Sequence, residues 1–150
     1  MPRWPFHVPP IGLKVVAACA DAERVTTSQP GDSHRPRVVV IEDDVDVRLL
    51  LERHLGRLGW SVHGADSGEA GLELAAALHP DVVVVDLVLP GIGGADVVGA
   101  LRADAGTAGC RVVVTSVLDR DEQLRLHPDA VLPKPFTRRD VGRAMAEVMA

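Results

Sequence analysis

The sequence predicts an α/β protein built on a doubly wound parallel sheet covered by helices on both sides. Three observations lead there. Short β-branched runs recur between residues 37 and 132, and segments of helical period separate them. The runs lack polar alternation, which marks strands buried on both faces. Strands alternating with helices imply parallel neighbours, and right-handed crossovers leave the doubly wound sheet as the natural solution.

The elements follow in order. Val38, Val39, Val40 and Ile41 form an all-apolar strand that runs into acids. Val47, Leu50, Leu51, Leu55 and Leu58 then recur at helical spacing, and Gly59 stops the helix. Residues 60–63 predict a second strand. Ser67 is placed as the N-cap of a helix carrying Leu72, Leu74 and Leu78 and closed by Pro80. Residues 82–85 are a third strand ending at Asp86. Pro90-Gly91 and Gly94 lead into a helix with Val97, Val98 and Leu101. Residues 112–114 are the fourth strand, followed by Thr115 and Ser116. A short polar helix is expected at 119–126 and a fifth strand at 130–132. Thr137 and Asp140 open the last helix with a capping box that uses Asp in place of Glu, and Val141, Ala144, Met145 and Val148 form its apolar stripe.

Residues 1–36 differ. Pro2, Pro5, Pro9, Pro10, Pro30 and Pro36 fall there with Ser, Thr and Gly between them. The stretch reads as a flexible Pro-rich leader with one helical turn near residues 14–20, and 37–150 as the folded domain.

The bulk properties set limits. At 150 residues, 47% hydrophobic and 25% charged, the chain is long enough for one self-sufficient core. A net charge of -5 points away from nucleic acid, whose binding relies on clustered Lys and Arg. Cys19 and Cys110 have neither metal nor scaffold spacing, which suits a reducing cytoplasm. No run approaches the roughly 20 apolar residues of a membrane span. Val16-Ala17-Ala18-Cys19 is like a lipoprotein cleavage box, but His7, Pro9, Pro10 and Lys14 break the apolar segment it needs. The expectation is therefore a cytoplasmic protein with neither nucleic-acid nor membrane partners.

In doubly wound sheets ligands bind at the carboxyl ends of the strands. Glu42, Asp43 and Asp44 follow the first strand, Asp86 ends the third, Thr115 ends the fourth, and Lys134-Pro135 follows the fifth. A helix N-terminus alone explains three acids after a strand, and strand propensity alone explains a threonine. Together, carboxylates crowded into one cleft repel each other, and a hard divalent cation such as Mg²⁺ relieves this with oxygen ligands. Lys134, set between Pro133 and Pro135, is placed to pair with Asp86 at rest and with a phosphoryl oxygen later. The Lys134-Pro135 bond is a candidate cis peptide. A carboxylate, a cation, a hydroxyl and an ammonium are the parts of a phosphoryl-transfer site, where positioning and charge neutralisation do most of the work.

Residues 37–136 resemble bacterial response-regulator receiver domains of the stand-alone chemotaxis-regulator type, and the similarity continues through the last helix. The matching motifs are Val40-Ile41-Glu42-Asp43-Asp44, Pro80-Asp81 through Asp86, Leu89-Pro90-Gly91, Val114-Thr115-Ser116 and Lys134-Pro135-Phe136. The resemblance implies a flavodoxin-like (βα)5 three-layer sandwich with strand order 2-1-3-4-5. It implies that Asp86 is the phosphoacceptor. It also implies that Glu42, Asp43, Asp86 and the backbone carbonyl of Val88 hold Mg²⁺, and that Thr115 and Lys134 bind the phosphoryl oxygens. The implied donor is a sensor histidine kinase or a histidine phosphotransfer protein. Apart from its own phosphorylation and slow autodephosphorylation, the chain is not expected to be an enzyme.

Two departures stand out. Val131 replaces the Tyr or Phe that many receivers carry three residues before the lysine, and the segment from Thr115 to Lys134 is short, so the fourth helix is expected to be truncated. Val88 and Val117, at the positions that flank the attacking water in this family, offer it no polar group, which predicts a long-lived acyl phosphate. Two other phosphate chemistries fit poorly. Haloacid-dehalogenase phosphatases need an acid two residues past the nucleophile, where Val88 stands, and a flavin phosphate would be repelled by Glu42, Asp43 and Asp44. The remaining alternative is a receiver-like interaction module that works without phosphorylation. Because the sequence ends just after the fifth helix, output is expected through contact with a downstream effector protein.

Overall fold

The computed structural model describes residues 35–117 and 120–150. Residues 1–34 of the proposed leader, which include the helical turn expected near 14–20 and Cys19, lie outside the described residues, as does position 119, where the fourth helix was expected to start.

Five strands and five helices alternate: β1 (Arg37–Ile41), α1 (Val45–Arg57), β2 (Ser61–Ala65), α2 (Gly68–Leu78), β3 (Val82–Asp86), α3 (Gly94–Ala103), β4 (Arg111–Ser116), α4 (Arg120–Leu124), β5 (Ala130–Pro133) and α5 (Arg138–Met149). The strands form one parallel sheet in the order β2-β1-β3-β4-β5. This is the expected doubly wound fold, with its strand-order switch between β1 and β3.

The period of two along each strand divides the core into two layers. Val38, Val40, Val82, Val84 and Val113 face one side, where they meet Leu51 and Leu55 of α1 and Val141, Ala144, Met145 and Val148 of α5. Val39, Ile41, Val83, Val85, Val112 and Val114 face the other, against Ala75 of α2 and Val97, Val98 and Leu101 of α3. The continuous valine runs thus arise because each strand is covered twice.

Helix ends are set by side-chain caps. Asp44 accepts hydrogen bonds from the N–H groups of Asp46 and Val47, and Ser67 accepts one from Ala70. Thr137 and Asp140 form the reciprocal box: the Thr137 N–H donates to the Asp140 carboxylate at 2.7 Å and the Asp140 N–H to the Thr137 hydroxyl at 3.3 Å. The Thr137 N–H and, at 2.8 Å, the Thr137 hydroxyl both donate to the Asp140 carboxylate and hold its pKa below the ordinary value.

β2 differs from expectation, while α4 shows the truncation that was expected. β2 runs from Ser61 to Ala65 rather than over 60–63. Trp60 instead packs into the core below the strand, and pairing of Val40 with Gly64 and Ile41 with Ala65 carries the ladder through residues with little strand preference. α4 is a single turn, Arg120–Leu124, since a polar segment with so few apolar positions has nothing to hold a longer helix on the sheet.

One close approach positions the site. A Cβ on Gly94 would lie 2.2 Å from the Asp86 carbonyl oxygen and 2.6 Å from the Leu87 Cα, so only glycine lets α3 start directly against the end of β3. Gly94→Ala is expected to destabilise the domain by about 2 kcal/mol or more, measured as a lowered urea midpoint; an unchanged midpoint would show that the approach is not tight.

Candidate functional site

The parallel register brings the chemistry to one edge. Ile41 pairs with Val85 and Asp86 pairs with Thr115, so the residues that follow β1, β3 and β4 emerge side by side. Glu42 is fully buried and Asp86 is 4% exposed, whereas Asp43 is exposed. One carboxylate oxygen from each of the three lies within 4.8 Å of the others.

Lys134 bridges two of these acids. Its Nζ donates to Glu42 Oε2 at 2.7 Å and to Asp86 Oδ2 at 2.8 Å. The other oxygens are also held: Glu42 Oε1 accepts from the Asp44 N–H, and Asp86 Oδ1 from the Val88 N–H, each at 3.1 Å. One ammonium serving two buried carboxylates leaves a surplus of negative charge. Burial pushes the Glu42 pKa up, the Lys134 hydrogen bond opposes this, and the Asp86 charge adds to it. Burial alone would lower the Lys134 pKa, but its hydrogen bonds to Asp86 and Glu42 outweigh that and raise it. The Lys134-Pro135 peptide bond is cis.

The residues present fit a hard divalent cation. Three carboxylates converge with insufficient positive charge among them, and all the donors are oxygens, the ligand type Mg²⁺ selects. A second observation concerns the ligand that would join it. The Thr115 hydroxyl is completely buried at this edge and finds no hydrogen-bond partner among the described residues. Such an orphan is rare and costs about 1–3 kcal/mol; an arriving anionic oxygen would satisfy it.

The structure separates the three consecutive acids that the sequence presented alike: Glu42 and Asp43 belong to the cluster, while Asp44 is the cap of α1. Val88 lies beside the cluster with its N–H committed to Asp86, and its side chain is exposed, as is that of Val117. Val131 is half-buried on β5, paired with Val114. The sequence reading missed Arg48, whose guanidinium donates to the Glu42 carbonyl oxygen at 2.7 Å and holds the first acid in place. Its position one turn into α1 made it look like a solvated helix residue.

A doubly wound sheet with an acidic cluster and a bridging lysine at its switch edge defines an α/β domain whose carboxylates could hold a cation. Residues 38–146 match the family model for the response regulator receiver domain, and the chain belongs to that family. It is 34% identical over 119 residues to the DNA-binding dual master transcriptional regulator RpaA of Synechocystis, covering 77% of this chain and 48% of that protein. It is 41% identical over 103 residues to the transcriptional regulatory protein PrrA of Mycobacterium tuberculosis, covering 67% and 44%. Among solved structures, the chemotaxis response regulator CheY4 of Vibrio cholerae superposes with a TM-score of 0.71 at 20% identity, covering 76% of this chain and 98% of that one, a likeness of fold. The receiver domain of the Francisella response regulator 1452 superposes with a TM-score of 0.68 at 25% identity, covering 77% and 98%.

These relatives correct one expectation. The chain spans about half the length of the curated relatives it matches, and several of those are named as transcriptional regulators, one of them as DNA-binding. The expectation of no nucleic-acid partner therefore fails. The net charge of -5 describes this chain alone and does not limit what a protein twice as long contacts. Among the described residues no helix is long and apolar enough to cross a membrane.

Proposed function

We propose that this receiver domain acts in a two-component phosphorelay by accepting a phosphoryl group on Asp86 from a phosphohistidine donor, either a sensor histidine kinase or a histidine phosphotransfer protein. The observation that carries the reading is the pairing of a buried, lysine-bridged Asp86 with a buried Thr115 hydroxyl that has no partner. An Asp86 carboxylate oxygen attacks phosphorus, the P–O bond forms, and the P–N bond to the donor imidazole breaks. Lys134 gives up part of its hold on Asp86 and follows the charge onto a phosphoryl oxygen, and the Thr115 hydroxyl donates to another. Glu42, Asp43, Asp86 and the Val88 carbonyl would hold Mg²⁺, which when bound neutralises charge on the transferring oxygens.

On this reading the chain is no enzyme beyond its own phosphorylation and dephosphorylation, and the reaction takes place in the cytoplasm. The relatives named as transcriptional regulators make control of a DNA-directed output compatible with it. Incubation with acetyl phosphate and Mg²⁺, followed by intact mass measurement, tests the proposal. One added phosphoryl group is expected. A chain that stays unmodified would favour the phosphorylation-independent interaction module instead.

The exposed Val88 and Val117 side chains bear on the lifetime of the product. Neither can orient or deprotonate a water, so the acyl phosphate is expected to decay slowly. Val88→Asn and Val117→Glu should each accelerate decay about tenfold or more, less than the roughly 10²–10⁴-fold of full acid–base catalysis because each supplies only a group that orients the water. Lifetimes equal to wild type would refute the idea.

A further inference from the structure

Asp43 poses a problem of aim. Glu42 and Asp86 are buried, and both oxygens of each carboxylate accept hydrogen bonds. Asp43 is exposed, and among the described residues its carboxylate has no hydrogen-bond or ion-pair partner. Its oxygen nevertheless lies within 4.8 Å of one from each of the other two acids. With no side-chain contact to direct it, its direction is set by the backbone that precedes it.

That backbone is held on both sides of Glu42. The Glu42 N–H donates to the Ala65 carbonyl of β2 at 3.0 Å. The Glu42 carbonyl, which belongs to the peptide joining it to Asp43, accepts the Arg48 guanidinium at 2.7 Å, a charge-assisted length. Arg48 is itself confined. Its side chain is 19% exposed and stands 3.9 Å from the Glu52 carboxylate one turn along α1. Both lie over Gly64 of β2, where a Cβ would run into Glu52 Oε1 and come 3.2 Å from Arg48 Cδ. A glycine on the edge strand thus leaves room for the pair. An exposed helix pair contributes little by itself, and nothing in such a pair requires a short bond to the loop carbonyl.

We infer that Arg48 is a positioning residue for the divalent cation: by fixing the Glu42–Asp43 peptide it presents the Asp43 carboxylate to Glu42 and Asp86. The inference rests on the reading that these three acids hold Mg²⁺. Charge alone predicts the opposite influence, because a guanidinium near the cluster repels a divalent cation and its removal should tighten binding. Loss of aim weakens binding instead. Partners that orient a metal ligand typically matter 10–100-fold, and about tenfold is expected here because Arg48 acts on the peptide and not on the carboxylate. The sign of the effect separates the two accounts.

The test uses the full chain, with calorimetric Mg²⁺ titration and with Mn²⁺, whose free form is counted by electron paramagnetic resonance. Arg48→Met keeps the apolar stem and a good helix former, and circular dichroism checks its fold; the neutral, shorter Arg48→Gln gives the same comparison should the methionine variant not fold. The neutral variant should bind both metals about tenfold more weakly than wild type. Asp43→Asn should also weaken binding, and adding the Arg48 substitution to it should change affinity less than about twofold, since no carboxylate is left to aim. A neutral Arg48 variant that binds as tightly as wild type, or more tightly, overturns the inference. So does a full tenfold loss in the Asp43→Asn background, which would show that Arg48 acts by another route. Wild type that binds neither metal sinks the cation reading itself, and the positioning role with it.

Discussion

Asp86→Asn retains the fold and takes up no phosphoryl group. The substitution is nearly isosteric, and the side-chain oxygen can still accept a hydrogen bond at this edge. It removes one of two buried carboxylates that share a single ammonium, so the lost attraction to Lys134 is offset by relief of repulsion from Glu42. Stability should stay within about 1 kcal/mol of wild type. The neutral amide is a poor nucleophile and a poor ligand for a hard cation, so uptake from acetyl phosphate falls below detection and Mg²⁺ binding weakens roughly tenfold or more. Intact mass and calorimetric titration read the two effects. A variant still phosphorylated to the wild-type extent would remove Asp86 from the centre of the account.

Lys134→Met gives the second large effect, and its size depends on the metal. The methionine fills the volume but leaves Glu42 and Asp86 buried without their cation. Removing one partner of a fully buried pair typically costs 3–5 kcal/mol; the Lys134 side chain is 17% exposed, so about 2–3 kcal/mol is expected without divalent cations. Addition of Mg²⁺ should restore part of this, because a cation that binds the folded state shifts the unfolding equilibrium in its favour. Urea denaturation with chelator and with Mg²⁺ makes the comparison. Equal midpoints for variant and wild type under chelator would mean that the ammonium does not compensate the acids.

The pH dependence follows from two of these groups, Lys134 and Glu42. The Lys134 pKa is raised in the folded state, so its contribution is complete below the ordinary lysine value of about 10.4 and is lost as pH rises through the raised one. The Glu42 pKa is also raised. The folded chain therefore binds that proton more tightly than the unfolded chain, and stability declines as pH climbs from about 4.3 through the raised value.

Much of this was legible in the sequence for identifiable reasons. Strands buried on both faces must be continuously apolar, so β1, β3 and β4 announced themselves as valine runs, and each ran directly into its functional residue. Lys134 stood out because two prolines fix the chain around it. β2 was less legible because Gly64 and Ala65 have no strand signature, and only pairing with β1 makes them strand. Charge alone did not separate three acids in a row, although the resemblance singled out Glu42 and Asp43; the turn after β1 buries Glu42, exposes Asp43 and assigns Asp44 to the cap. Arg48 was illegible for a different reason. A polar residue on a helix reads as solvated surface, and tertiary packing alone brings it to the Glu42 carbonyl.

The central claim is that Asp86 carries the phosphoryl group and that the neighbouring carboxylates make its arrival depend on a divalent cation. Borohydride reduction after acetyl phosphate treatment, followed by peptide mapping, tests it directly when run with Mg²⁺ and with a chelator in parallel. The reduced product should map to Asp86 in the Mg²⁺ sample and be absent from the chelated one. Modification at another residue, or equal labelling of Asp86 in both samples, would contradict the account.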